Sequence, residues 1–176
     1  MRVKPLTSLI IEPTNTCNLR CTFCFVTEGM TRDEGFMDLE LFKKVIDDTP
    51  DLEHLCMHNW GEPLLHKEIF EMFDYAHQAG VKHIVMNTNG TLLTDKMISK
   101  IVESPLNIIR FSIDGSTDTF KRIRGVELQK IKDNIQRLKK AKEANRPELS
   151  MGVVFTVEED TQEDVEEYIE HWETIV

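Results

Sequence analysis

The sequence of 176 residues has no long apolar run and an excess of acidic over basic residues. No stretch approaches the ~20 apolar residues that cross a bilayer, and residues 1–5 lack the apolar character of a signal peptide. Lys and Arg number 21 against 31 Asp and Glu, a formal charge of −10, so a phosphate backbone would be repelled. We therefore expect a cytoplasmic protein with neither a membrane nor a nucleic-acid partner.

Internal repeats, low-complexity tracts and a convincing domain linker are also absent from the sequence. Hydrophobic residues make up 40% of the chain and charged residues 30%, which is typical of a folded globular protein. A chain of this length buries roughly 70% of the surface that its unfolded form exposes. The sequence therefore predicts one domain over residues 1–176.

Short apolar segments alternate with helical patterns along the chain. Five segments are predicted as buried strands, at residues 8–12, 54–57, 83–86, 107–111 and 151–155. Strand followed by helix five times predicts right-handed βαβ units and a parallel sheet, because parallel neighbours need a crossover connection. Functional residues are then expected in the loops after the carboxyl ends of the strands.

The alternation stops after a helix, where it predicts a further strand. Five strands correspond to an unfinished barrel. Either the native protein closes its sheet differently, or the sequence is the front portion of a longer protein.

Three of the four cysteines, Cys17, Cys21 and Cys24, lie within one stretch of eight residues that follows the first predicted strand. In a reducing compartment this crowding favours metal or redox chemistry over disulfides. Thiolates suit zinc or iron–sulfur clusters, but a structural zinc site usually has four ligands and no second cysteine pair follows. A four-iron cluster on three cysteines would leave one iron open to a substrate or cofactor.

The pattern Cys-x3-Cys-x2-Cys, with Phe23 before the last cysteine, resembles the signature of the radical S-adenosylmethionine (SAM) enzymes. Later segments are similar to further motifs of that family: Asn-Trp-Gly-Glu-Pro at 59–63, Asn-Thr-Asn-Gly at 87–90, Ser-Ile-Asp-Gly at 112–115 and Arg-Ile-Arg-Gly at 122–125. The motifs look most like the branch of SPASM/twitch maturases and the molybdenum-cofactor cyclase.

The resemblance implies an α/β fold, a partial (βα)6 TIM-like barrel that here ends after about five βα units. It also implies a [4Fe–4S] cluster on Cys17, Cys21 and Cys24 whose open iron binds SAM. Reductive cleavage of SAM would yield a 5′-deoxyadenosyl radical that takes hydrogen from a peptide or small-molecule substrate. The electron would come from an external one-electron reductant such as flavodoxin or ferredoxin.

The resemblance further implies which residues bind SAM. Gly61 and Glu62 would receive the methionine amino group, for which a carboxylate is a suitable acceptor. Ser112 or Asp114, together with Asn89, would hold the ribose hydroxyls or the methionine moiety.

Arg124 would pair with the methionine carboxylate, because a guanidinium group presents a bidentate fork. The backbone near Phe23 and Phe25, and residues 153–156 of the fifth strand, would contact adenine. Trp60 stands where the family has the first glycine of Gly-Gly-Glu-Pro, so it should narrow the space beside the cofactor.

The remaining candidate residues have simpler interpretations. Cys56 lies on a predicted buried strand and is expected in the core, since buried free cysteine behaves as a small hydrophobe. No cysteine follows it, so no auxiliary cluster is assigned. His58 and His66 are expected as polar strand-end or loop residues.

Two alternatives stay open. The chain could be a non-catalytic iron–sulfur or zinc-binding module, which would make no use of Gly61, Glu62 or Arg124. It could also be a truncated core that binds both cofactors without turnover.

Overall fold

The computed structural model describes residues 5–159 and 161–172, in which strands and helices alternate. The strands are β1 (Ser8–Ile10), β2 (His54–Cys56), β3 (His83–Thr88), β4 (Ile108–Ser112) and β5 (Ser150–Val154). The helices are α1 (Phe25–Glu28), α2 (Leu39–Asp47), α3 (Ile69–Gln78), α4 (Asp95–Glu103), α5 (Thr117–Arg124), α6 (Leu128–Asn145) and α7 (Val165–Trp172). Short 3-10 helices lie at Pro63–Leu65 and Gln162–Asp164.

The five strands form one sheet in the order β1-β2-β3-β4-β5, and every neighbouring pair is parallel. The predicted α/β class and parallel sheet are therefore confirmed. Within the described residues β1 and β5 are the two edges, so the sheet is not closed into a complete barrel.

The hydrophobic core lies between the sheet and its helices. Because each strand lies beside its successor, right-handed crossovers place the helices on one face of the sheet. Side chains alternate along the strands, and Ile84, Met86, Ile109 and Phe111 are fully buried against those helices. The alternate side chains of the same strands, including Asn87 and Arg110, lie on the opposite face of the sheet, which we call the inner face.

The helix ends follow local capping chemistry. Asp38 Oδ1 accepts hydrogen bonds from the N–H groups of Glu40 and Leu41 at the start of α2, at 2.9 and 3.1 Å. Thr94 Oγ1 accepts from Met97 N–H at the start of α4. Among the helices of the described residues, none combines the length and apolar character that crossing a bilayer requires.

Candidate cofactor site

A cavity of about 220 Å³ opens where the loops after β1 to β4 meet, at the carboxyl ends of the strands. Parallel strands bring these ends to one edge of the sheet, as the order of the motifs predicted. The lining of the cavity includes the three cysteines of the first loop and six further predicted site residues: Phe23, Gly61, Glu62, Asn89, Ser112 and Arg124. Asp114 does not line it. Among the positions predicted to contact adenine, Val154 and Thr156 line the cavity, whereas Phe25, Val153 and Phe155 do not.

The cysteine loop is fixed against α5. Thr22 N–H donates to Ile123 O at 3.1 Å, and Ile123 packs with Leu19 and Cys21 in a small apolar cluster. Cys21 is buried by this packing, whereas Cys17 and Cys24 are half-buried. The loop therefore holds three free thiols at the wall of the cavity.

Burial raises the pKa of the Cys17 and Cys21 thiols above the ordinary value. For Cys17 the shift is opposed by hydrogen bonds from the Leu19 N–H and the Asn89 side chain, and for Cys21 by the charge of Arg124. Both are therefore protonated near neutral pH without metal. Binding of a metal or cluster must release these protons, because thiolates are the ligands.

The donor set fits an iron–sulfur cluster. Among the described residues, no three His, Cys, Asp or Glu side chains are arranged to hold one metal ion. A four-iron cluster does not require such convergence, since each thiolate binds a different iron. Three soft sulfur donors that line one roomy cavity meet its requirements.

Gly61 lies where the second loop crosses the cysteine loop. A Cβ atom at this position would be 2.0 Å from Thr14 O and 2.9 Å from Thr16 O, so no side chain fits. Next to it, Glu62 N–H donates to Thr16 O at 2.9 Å. The glycine is thus required by the packing of two loop backbones, and Cys17 follows directly after the contact.

Glu62 joins the second loop to the third. Its side chain is only 2% exposed, and Oε1 accepts from Leu64 N–H at 3.1 Å and from Thr88 Oγ1 at 2.8 Å. Oε2 accepts from Asn89 N–H at 2.8 Å. Burial raises the pKa of this carboxyl, although the three hydrogen bonds oppose the shift. Oε2 retains capacity for a further donor.

Asp114 and Arg124 form a buried ion pair below the cavity. Arg124 Nε and Nη2 lie 2.7 and 2.5 Å from Asp114 Oδ2. Arg124 is 8% exposed and Asp114 is fully buried. Asp114 Oδ1 accepts from Thr156 N–H at 2.7 Å. Both Asp114 oxygens are thus engaged within the protein, and the residue sits behind Arg124. Arg124 Nη1 instead points to Cys21 Sγ, at 3.9 Å.

The other predicted positions lie around the rim or in the loops. Asn89 is tied into its own turn, where its side-chain oxygen accepts from Thr91, and its Nδ2 donates to Asn18 Oδ1 at 3.0 Å. Trp60 is 37% exposed, lines the cavity and meets Phe25 edge to face at 4.8 Å.

Some residues that line the cavity are not among the predicted site residues. Thr88, the main side-chain partner of Glu62, lies within the Asn-Thr-Asn-Gly motif, so its position after β3 was the available signal. His58 lines the cavity, although it was expected as a polar strand-end residue. His66 lies elsewhere and contacts Met37 O at 2.8 Å. The expectation that Cys56 lies in the core is wrong: it is half-buried on β2, and as the register partner of Val85 it lies on the inner face, outside the cavity lining.

The chain belongs to the radical SAM superfamily, whose sequence pattern matches residues 11–171. It is 33% identical over 159 residues to the tungsten-containing aldehyde ferredoxin oxidoreductase cofactor-modifying protein of Pyrococcus furiosus, covering 85% of this chain and 44% of the relative. It is 32% identical over 151 residues to a GTP 3′,8-cyclase of Desulforamulus reducens, covering 83% and 46%. The chain thus spans less than half the length of these relatives.

The fold is shared with solved structures. Native anSMEcpe with bound AdoMet matches with a TM-score of 0.76 at 22% identity, over 97% of this chain and 50% of that one. Native anSMEcpe with bound AdoMet and Kp18Cys peptide matches with a TM-score of 0.72 at 21% identity, over 96% of this chain and 49% of that one. The predicted partial TIM-like barrel and the predicted family branch are therefore confirmed. The cofactors of this superfamily are the predicted ones, a [4Fe–4S] cluster and SAM.

Proposed function

We propose that residues 1–176 form the core domain of a radical SAM enzyme, with Cys17, Cys21 and Cys24 as cluster ligands. The observation that carries this proposal is the single cavity that joins the three thiols to Gly61, Glu62 and the other predicted SAM-binding positions. When bound by these cysteines and reduced by an external donor, the cluster would supply the electron for reductive cleavage of SAM, and the resulting 5′-deoxyadenosyl radical would take a hydrogen atom from the substrate.

The protein's part begins with the methionine end of SAM. Glu62 Oε2 and the Gly61 backbone would receive the amino group, whose positive charge would offset the desolvation of the buried Glu62 carboxylate. Arg124 would bind the methionine carboxylate through Nη1, because Asp114 already occupies Nε and Nη2. In this proposal Asp114 is a positioning residue that aims the guanidinium at the cavity, rather than a ribose contact.

The rest of the cavity suits the nucleoside. Ser112 and Asn89 line it and would offer polar contacts to the ribose or the methionine moiety. Phe23, beside the end of β5 at Val154, provides an apolar wall for adenine. Trp60 and Phe25 would shield the cavity from bulk water, which supports radical chemistry by limiting side reactions.

Substrate and reductant complete the proposal. We expect a peptide or small-molecule substrate and an external one-electron donor such as flavodoxin or ferredoxin. Hydrogen abstraction at the substrate would lead to oxidation, epimerisation, rearrangement or crosslinking.

Anaerobic reconstitution tests the proposal. We expect about four irons per chain, and 5′-deoxyadenosine when SAM and dithionite are added. One zinc per chain without SAM cleavage would show a zinc-binding module instead, and iron without SAM cleavage would show a non-catalytic iron–sulfur module.

A pair of cysteine variants tests the ligand assignment. Cys21→Ala should lose the cluster and SAM cleavage. Cys56→Ala is the matched control and should keep nearly full iron content, because Cys56 lies on β2 outside the cavity lining. Loss of the cluster from folded Cys56→Ala would show that the ligands are wrongly assigned.

A further inference from the structure

Three polar side chains that SAM binding does not require lie next to each other at the inner face. Arg110 on β4 is the register partner of Asn87 on β3. His58 follows β2, and its Nδ1 accepts from Asn87 N–H at 3.3 Å. We call these residues the inner-face cluster. His58 and Asn87 also line the cofactor cavity, so the cluster adjoins it.

The alternation of side chains along β4 places Arg110 on the inner face. Its neighbours Ile109 and Phe111 are fully buried against the helices, so Arg110 lies on the opposite side of β4. Gly152 is its register partner on β5, and a Cβ there would be 3.6 Å from Arg110 Cγ. The glycine leaves free space beside the arginine side chain.

The hydrogen-bonding groups of the cluster are only partly used. In the part of the chain that the structure describes, Arg110 takes part in none of the ion pairs, although the protein is strongly acidic. The Asn87 side-chain oxygen is buried there without a hydrogen-bond partner. Buried polar groups almost always have partners, so the unpaired Asn87 oxygen, on the strand beside the half-exposed Arg110, points to a ligand at this place.

The donors and acceptors define the chemistry of that ligand. A guanidinium group binds carboxylate or phosphate through two parallel N–H donors. Because His58 Nδ1 accepts a hydrogen bond, the neutral ring carries its proton on Nε2 and offers a further donor. The Asn87 oxygen requires a donor from the ligand, such as an adjacent N–H or O–H group.

We infer that the inner-face cluster binds an oxoanion of the substrate, a carboxylate or phosphate that has an N–H or O–H group beside it. The inference rests on the proposed function, because only radical chemistry in the adjoining cavity makes this ligand a substrate. Arg110 acts as its anchor, and His58 and Asn87 set its orientation. The reactive part of the substrate would then extend toward the SAM-binding positions.

Titration of the full chain with phosphate and, separately, acetate tests the inference. The His58 imidazole signals, followed by NMR and assigned with His58→Gln, should shift and saturate with one or both anions. Saturation with phosphate alone would indicate a phosphorylated substrate. Saturation with acetate would indicate a substrate that carries a carboxylate. Arg110→Gln should weaken the binding at least tenfold, and Arg110→Lys less than that.

Lys130→Gln is the control, since it removes one positive charge from an exposed position on α6. It should bind the anions like the wild type. Shifts that never saturate, or equal affinity in a folded Arg110→Gln, would overturn the inference. SAM cleavage by the wild type is measured separately. Failure of cleavage would overturn the proposed function, whereas cleavage without anion binding would overturn only the inner-face site.

Discussion

Replacing Gly61 by alanine tests the crossing of the two loops that form the cavity. The added Cβ would be 2.0 Å from Thr14 O, whereas an ordinary contact is about 3.5 Å, so the loops must separate by about 1.5 Å. That movement would stretch or break the hydrogen bond from Glu62 N–H to Thr16 O. Overpacking costs about 1–3 kcal/mol and a lost hydrogen bond about 1 kcal/mol.

Gly61→Ala should therefore lower the free energy of unfolding by about 2–4 kcal/mol, which for a chain of this size corresponds to roughly 4–16 °C in Tm. Thermal denaturation followed by circular dichroism measures this change. Reconstitution should also yield less iron, because the displaced segment leads directly into Cys17.

Gly35→Ala provides a matched control in the neighbouring segment. A Cβ at Gly35 would have no atom within 4 Å, and its φ is outside the left-handed region. Its Tm should stay close to that of the wild type. Equal Tm and iron content in the two variants would refute the close-packing argument for Gly61.

Two further predictions concern buried charges. Arg124→Met alone should destabilise the protein by about 3–5 kcal/mol in urea unfolding, since it leaves the Asp114 charge buried without its partner. The double variant with Asp114→Leu should recover part of this loss, because it removes the unpaired charge. If the losses of the two single variants simply add in the double variant, the two residues are not energetically coupled. Burial and, second, the charge of Arg110 lower the pKa of His58 in the folded protein, so protonation favours the unfolded state. The stability that the neutral His58 contributes is therefore present above pH 6.5 and is lost as the pH falls through the folded-state pKa. An NMR titration should give a His58 pKa below 6.5 in the wild type and a higher His58 pKa in Arg110→Gln. An equal pKa in the two proteins would contradict the contribution of the Arg110 charge.

Much of the fold could be predicted because its signals are local. Apolar runs of strand length and helical stripes such as that of α3 depend on neighbouring residues, and their alternation leaves a parallel sheet as the simple solution. The cysteine spacing was similarly informative, because the three proposed cluster ligands lie within eight residues of one loop. The parallel sheet then explains why motifs far apart in the chain share one edge.

The sequence by itself therefore determined the fold class, the family and the loops that face the cavity. Only the tertiary structure decided which atoms are already engaged: Asp114 with Arg124, and Glu62 with Thr88. It also brought Arg110 into register with Asn87, whose N–H donates to His58 Nδ1, at the inner face. The physical reason is that hydrogen bonds and ion pairs depend on distances of a few ångströms between residues far apart in sequence, and a linear pattern does not contain those distances.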